Sequence, residues 1–233
     1  METKTINQNS VRFSQAPWYS PGIEAIVGGL GGIGSYVSFY LGRQECELHL
    51  FDYDNIENTN LGGQLYSVNQ AIGQNKKTDA CKYNISEYSE NDNISLYEKY
   101  TKDSISSAYM FSCFDNLDAR KHMFENWCEY VHNNPDDECI FIDGRLSAEN
   151  FDVFFVTKDR IQKYREDLYS DIKIKELPCN FKATSHCGAM CAGIMVSGFN
   201  NFITNVKFKE NVRDVPFKVS TQLAFFNTEI LWD

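Results

Sequence analysis

The chain of 233 residues is acidic, with 22 Lys and Arg against 32 Asp and Glu, a formal charge of -10 and a pI near 4.9. With 42% hydrophobic residues it has enough apolar material to bury one sizeable core, but no excess of basic residues of the kind a nucleic-acid partner requires. Residues 1–17 lack the charged start and apolar run of a secretory leader, and no apolar stretch nears the roughly 20 residues that cross a bilayer, so a cytoplasmic protein without a membrane partner is expected.

In chain order, residues 22–29 form a short apolar run ending in glycines, the pattern of a buried parallel strand. A helix pattern over 33–41 and a second strand over 47–52 complete a strand, glycine turn, helix, strand unit. Helix is expected over 73–88, a polar turn over 89–94, a strand over 109–113, a helix over 118–130 and a strand over 139–142. The character changes at Asp143. Residues 151–157 read as a strand, the charged stretch 158–175 as helix or crossover, 188–206 as a helix rich in small residues, and 215–219 and 222–226 as extended segments. There is no internal repeat and no low-complexity linker, so a single α/β domain over 1–233 is expected. It should be doubly wound and Rossmann-like, with a mainly parallel sheet and an antiparallel extension in the C-terminal half. Within it, 1–20 is an N-terminal arm, 21–145 the nucleotide-binding half and 146–233 the crossover and substrate-side half.

Gly29-Leu30-Gly31-Gly32-Ile33-Gly34-Ser35 matches G-x-G-x-x-G between a strand and a helix. In that context Gly29, Gly31, Gly32 and Gly34 permit a tight turn and close backbone approach, and the helix N-terminus offers unpaired amides to a phosphate. Asp52, closing the second strand, stands where a carboxylate accepts from ribose hydroxyls. An incidental acid after a glycine-rich turn is the bland alternative. Eight cysteines are scattered with no CxxC pair, which reads as reduced thiols with no zinc.

Beyond Asp52 the chain continues Asp54, Ile56, Thr59, Asn60, Leu61 and Gln64, then Gly73-Gln74-Asn75-Lys76, then Asp115-Asn116 and Arg120. These residues resemble the ThiF/MoeB family of ubiquitin-activating-like adenylyltransferases, whose segments read G-x-G-G-x-G-S, D-x-D-x-[VI]-x-x-[ST]-N-L-x-R-Q, G-x-x-K and D-x-x-D-N-x-x-x-R. The resemblance spans Gly29 to Arg120 and is only an outline beyond. It implies ATP and Mg2+ as cofactors. Asp52 would hold the ribose, Asn60 and Lys76 reach the triphosphate, and Asp115 position magnesium, with Asp54, Gln64 and Asn116 completing the nucleotide site. A homodimer is implied too, with Arg12 reaching the neighbouring subunit's nucleotide, although an ordinary surface arginine fits that position equally, and Arg120 is the structural arginine that ties the following helix to the site.

The sequence departs from this pattern where the family carries arginine before the glutamine, because here that position is Gly63. Lys77, Arg12 or Arg145 is then the candidate replacement cation. Cys179 and Cys187 fall where many relatives place an acyl-accepting thiol, although incidental buried cysteines fit the same positions. Arg145 could meet a substrate carboxylate or anchor the domain by a salt bridge. The expected activity is ATP-dependent adenylation of the C-terminal carboxylate of a small ubiquitin-like or sulfur-carrier protein, or of a peptide. A catalytically silent nucleotide-binding scaffold and an NAD-dependent oxidoreductase are the alternatives.

Overall fold

The computed structural model describes residues 13–170 and 184–233. Strands β1 (Glu24–Gly28), β2 (Glu47–Phe51), β3 (Ile94–Tyr97), β4 (Tyr109–Ser112) and β5 (Ile140–Ser147) are parallel neighbours, and β6 (Asn150–Val156), β7 (Lys218–Gln222) and β8 (Asn227–Leu231) add antiparallel strands at one side. They form one sheet in the order β3-β2-β1-β4-β5-β6-β7-β8. This is the expected doubly wound, Rossmann-like sheet with its antiparallel extension. The strand order reverses between β1 and β4, so a crevice opens beyond their carboxyl ends.

Alternation along the strands decides which residues meet which helices. Ala25 and Val27 of β1 face one layer with α1 (Gly34–Arg43), α3 (Lys77–Ser86) and α6 (Ser185–Phe208), while Ile26 faces the other with α4 (Leu117–Asn133) and α5 (Ile161–Ser170). β5 repeats the rule, with Ile140 and Ile142 toward the first layer and Phe141 toward Phe124, Trp127 and Tyr164 in the second. Both faces are thus covered, which is why the inner strands read as continuous apolar runs. Among the described residues no helix is long and apolar enough to cross a membrane.

Several boundaries differ from the sequence expectation. The helix expected over 73–88 is the shorter α3, and a separate helix not expected from the sequence, α2 (Val68–Ile72), precedes it across a turn in which Gln74 adopts a positive φ of 48°. Ser67 begins α2 with a reciprocal capping box to Gln70, a signal that lies before the predicted start. β3 follows the expected polar turn as a four-residue strand whose Ser95 interrupts the apolar run, so periodicity alone did not reveal it. β5 runs on to Ser147 because β6 pairs with it through a tight turn at Ala148, φ 55°, without the Asn-Gly signature of such hairpins. The extended segment expected at 222–226 is instead a 3-10 turn, Leu223–Phe225, with Phe226 left-handed at φ 48°, and the next strand is β8. Arg12, Cys179 and the end of the 158–175 stretch lie outside the described residues.

Candidate functional site

The crevice begins where β1 ends. Gly29 has a φ of 81°, and a side chain there would put its Cβ 2.9 Å from the Cys113 carbonyl oxygen. A Cβ on Gly34 would sit 1.8 Å from the Gly29 carbonyl oxygen, so the first residue of α1 rests directly on the loop. Gly188 of α6 closes on the same loop from behind, its added Cβ falling 2.1 Å from the Gly32 carbonyl oxygen. Gly31, by contrast, has open space, its nearest neighbour being Gln64 Nε2 at 4.0 Å. The first turn of α1 carries no acidic side chain to compete with an anion for the amides there.

Asp52 ties this loop to the end of β2. Its Oδ2 accepts from the Leu30 N–H at 2.7 Å and its Oδ1 from the Asp54 N–H at 2.8 Å. Burial pushes its carboxyl above the usual range, although Lys77 and those two amides oppose the shift. Each carboxylate oxygen has a second lone pair, so both remain able to accept from a ligand hydroxyl.

The loop after β2 is clamped to the start of α3. Ile56 N–H donates to the Asn75 carbonyl at 2.9 Å and Lys77 N–H to the Asp54 carbonyl at 3.0 Å, bracketing a bridge between Asn55 and Lys76. Lys76 is the extended residue before the helix, and its ammonium pairs with Glu98 at 2.7 Å on the protein surface. Lys77 faces the opposite way, its side chain 8% exposed and its ammonium 2.8 Å from Asp54 and 3.9 Å from Asp52. Tyr53, Asp54, Asn55, Glu57, Asn60 and Lys77 line a cleft of about 360 Å³. Asn60 is held in it because its Oδ1 accepts from the Glu57 N–H at 2.8 Å within a reciprocal capping pair. Gly63 donates its N–H to the Asn60 carbonyl at the end of this turn. Gln64, beside Gly31, keeps its buried Oε1 without a hydrogen-bond donor among the described residues.

The third wall follows β4. Asp115 is exposed, while Asn116 caps α4 by accepting from the Ala119 N–H at 2.8 Å. Arg120 holds this loop from beneath by donating to the Phe114 carbonyl. Its Nε also stands 3.0 Å from Asp143, a fully buried carboxylate that receives Arg145 and Tyr164, each at 2.8 Å. Burial alone would raise the Asp143 carboxyl, but the two guanidinium groups outweigh it and hold the group below its ordinary value. Arg145 is further tied to Asp167 at 2.8 Å and lies over the Phe154 ring. Of its two sequence readings, the structure shows the anchoring salt bridge.

Cys187 is fully buried in the first turn of α6, and burial pushes its thiol up to about 11, which leaves little thiolate at neutral pH. Among the described residues no three His, Cys, Asp or Glu side chains stand together as a ready metal site. Of the expected residues, Asp54 and Asn60 line the cleft with Lys77, and Asp52 stands 3.9 Å from the Lys77 ammonium, whereas Lys76 and Asp115 are exposed and do not line it. Sequence reasoning missed Glu57, Tyr53 and Asn55, and gave Asp143 no role. A lone carboxylate at the end of an apolar strand was the available signal for Asp143.

Residues 23–221 match the sequence model of the ThiF family. No protein of curated function matches the chain. Among solved structures, Escherichia coli MccB with ATP is similar over 89% of this chain and 62% of its own, at 17% identity and a TM-score of 0.60. PaaA is similar over 99% of this chain and 85% of its own, at 16% identity and TM-score 0.63, and TcdA (CsdL) over 85% and 93%, at 15% and 0.61. MccB has also been solved with MccA, at 18% identity and TM-score 0.59 over 89% of this chain. The chain therefore spans less than two thirds of the MccB chain, and at these identities the likeness is one of fold.

Proposed function

The chain belongs to the ThiF family, and on that premise we propose that it adenylates the C-terminal carboxylate of a small ubiquitin-like or sulfur-carrier protein, or of a peptide, using ATP and magnesium. The observation that carries this reading is the crevice at the strand-order reversal, where the glycine loop, Asp52 and the Asn60–Lys77 cleft adjoin. The donor set fits a nucleotide. The open side of Gly31 and the adjacent unsatisfied Gln64 oxygen leave room and an acceptor, the α1 amides suit a phosphate, and Asp52 retains acceptor capacity for ribose hydroxyls. MccB solved with ATP and with MccA supports a nucleotide and a second reactant on this scaffold.

In this reading Asn60 and Lys76 contact the triphosphate, Asp54, Gln64 and Asn116 complete the nucleotide site, and Asp115 holds magnesium, which supplies charge neutralisation at the phosphates. Lys76 is free to turn inward, because its surface pair with Glu98 is weakly held. The partner's carboxylate is already ionised at neutral pH, so no general base is needed. Its oxygen forms a bond to the α-phosphorus while the bond to the β-phosphate oxygen breaks, and pyrophosphate leaves. The protein's task is to align the two reactants and offset developing charge, which is how phosphoryl transfer is commonly catalysed. Arg12 of a second subunit would add a cation in the homodimer. Cys187, buried and with its thiol pushed up to about 11, is poorly suited to accept the acyl group.

A nicotinamide cofactor would use the glycine loop and Asp52 but leaves the Asn60–Lys77 cleft without a purpose. Titration calorimetry with ATP and magnesium, set beside NAD, tests the choice on the wild type and on Asp115→Ala. ATP binding that weakens in the variant supports the adenylation site. Binding of NAD without ATP would replace it with the oxidoreductase reading, and intact ATP binding without pyrophosphate exchange across candidate carboxyl partners would leave a silent scaffold.

A further inference from the structure

We infer that the Asp54–Lys77 ion pair is a latch that the triphosphate opens, Lys77 passing from the Asp54 carboxylate to phosphate oxygens. The inference rests on the ATP reading and adds which buried cation meets the phosphates and what it must release. Among the described residues Lys77 is the one basic side chain lining the cleft. Two backbone contacts between 54–56 and 75–77 fix the start of α3 and so anchor the Lys77 backbone beside Asp54, leaving its flexible side chain able to reach either partner.

The two carboxylates beside Lys77 are unlike. Asp52 is fixed by the Leu30 and Asp54 amides and stands 3.9 Å away, whereas Asp54 makes the 2.8 Å contact and its side chain is 48% exposed. A buried ammonium needs a counter-charge at all times. Asp54 supplies it in the ligand-free site and can exchange that role with an incoming phosphate at small cost, because water already reaches it. Charge sets the second half of the argument. Asp52, Asp54 and Glu57 outnumber Lys77 around the cleft, so a bare triphosphate meets net repulsion. With Asp54 released, magnesium bound to the phosphates would offset that repulsion.

Titration calorimetry on the intact chain with adenosine, with ATP and with ATP plus magnesium tests the latch. Lys77→Met should weaken magnesium-ATP binding about ten-fold or more while adenosine changes less than about two-fold, because a charge-assisted phosphate contact is lost and the nucleoside contacts are not. Asp54→Asn should tighten magnesium-free ATP several-fold and shrink the gain from magnesium. Equal weakening of adenosine and ATP in Lys77→Met would make the lysine a mere brace and overturn the latch. So would Asp54→Asn that leaves magnesium-free ATP unchanged, a result that stands even if Lys77→Met fails to fold in a thermal melt. Wild type that binds adenosine but gains nothing from the triphosphate overturns the latch alone, whereas wild type that binds neither overturns the ATP reading with it.

Discussion

Two buried aspartates, one in each half of the sheet, have opposite surroundings. Asp143 is fully buried among Arg120, Arg145 and Tyr164, and its carboxyl is held below the usual range. Asp52 is almost as buried but has two amides and a lysine 3.9 Å away, and its carboxyl is pushed up. The difference separates structure from function. A carboxylate compensated by two guanidinium groups is a bolt between α4, β5 and α5, while one left under-compensated at a cleft keeps acceptor capacity for a ligand.

The largest test of this contrast is Asp143→Ala, which leaves Arg120 and Arg145 without their shared carboxylate. Loss of a buried charge partner should cost about 3–5 kcal/mol, read by urea denaturation. A loss below about 1 kcal/mol would dissolve the contrast. Gly34→Ala should come next, at about 1–3 kcal/mol, because its Cβ overlaps the Gly29 carbonyl and the loop must move. That variant should also lose nucleotide binding, whereas Asp143→Ala that still folds should retain part of it. Asp52→Asn turns one acceptor into a donor facing a backbone N–H and should cost about 1–2 kcal/mol.

Titration sharpens the same pair. The depressed Asp143 carboxyl contributes stability that is complete above about pH 4 and is lost as pH falls through its lower folded value. Asp52 has the opposite sign. Its raised carboxyl favours the protonated folded state, so its unfavourable contribution fades as pH falls from above its folded value toward about 4. Unfolding free energy measured against pH should therefore show Asp143→Asn flattening the acid-side loss and Asp52→Asn removing a gain. Identical curves for the two variants would break the comparison. The smallest effect is expected at Glu98→Gln, where the exposed pair with Lys76 should leave the unfolding midpoint unchanged.

Much of the fold was legible because its signals are local. The apolar run into Gly29, the amphipathic α1 and the second strand closing at Asp52 announce the βαβ unit within thirty-odd residues. β3 and β8 were missed because one is short and interrupted by serine and the other is exposed at every position, so neither shows the pattern of a buried strand. α2 was missed because it is only five residues long, and α3 was started too early because Gln74, not glycine, takes the positive φ of the turn before it.

By itself the sequence determined the glycine loop, the carboxylate at the end of β2, the family resemblance and the α/β class, all of which depend on residues near one another along the chain. Only the tertiary structure decided that Lys77 lines the cleft while Lys76 turns to Glu98, and that Arg145 is bound to Asp143 and Asp167. Apart from Asp143 and Arg145, which share β5, those pairs join residues 22 or 23 positions apart in the chain. A one-residue offset at a helix start, or the choice of partner for a buried charge, is a balance of desolvation and pairing that no local pattern encodes.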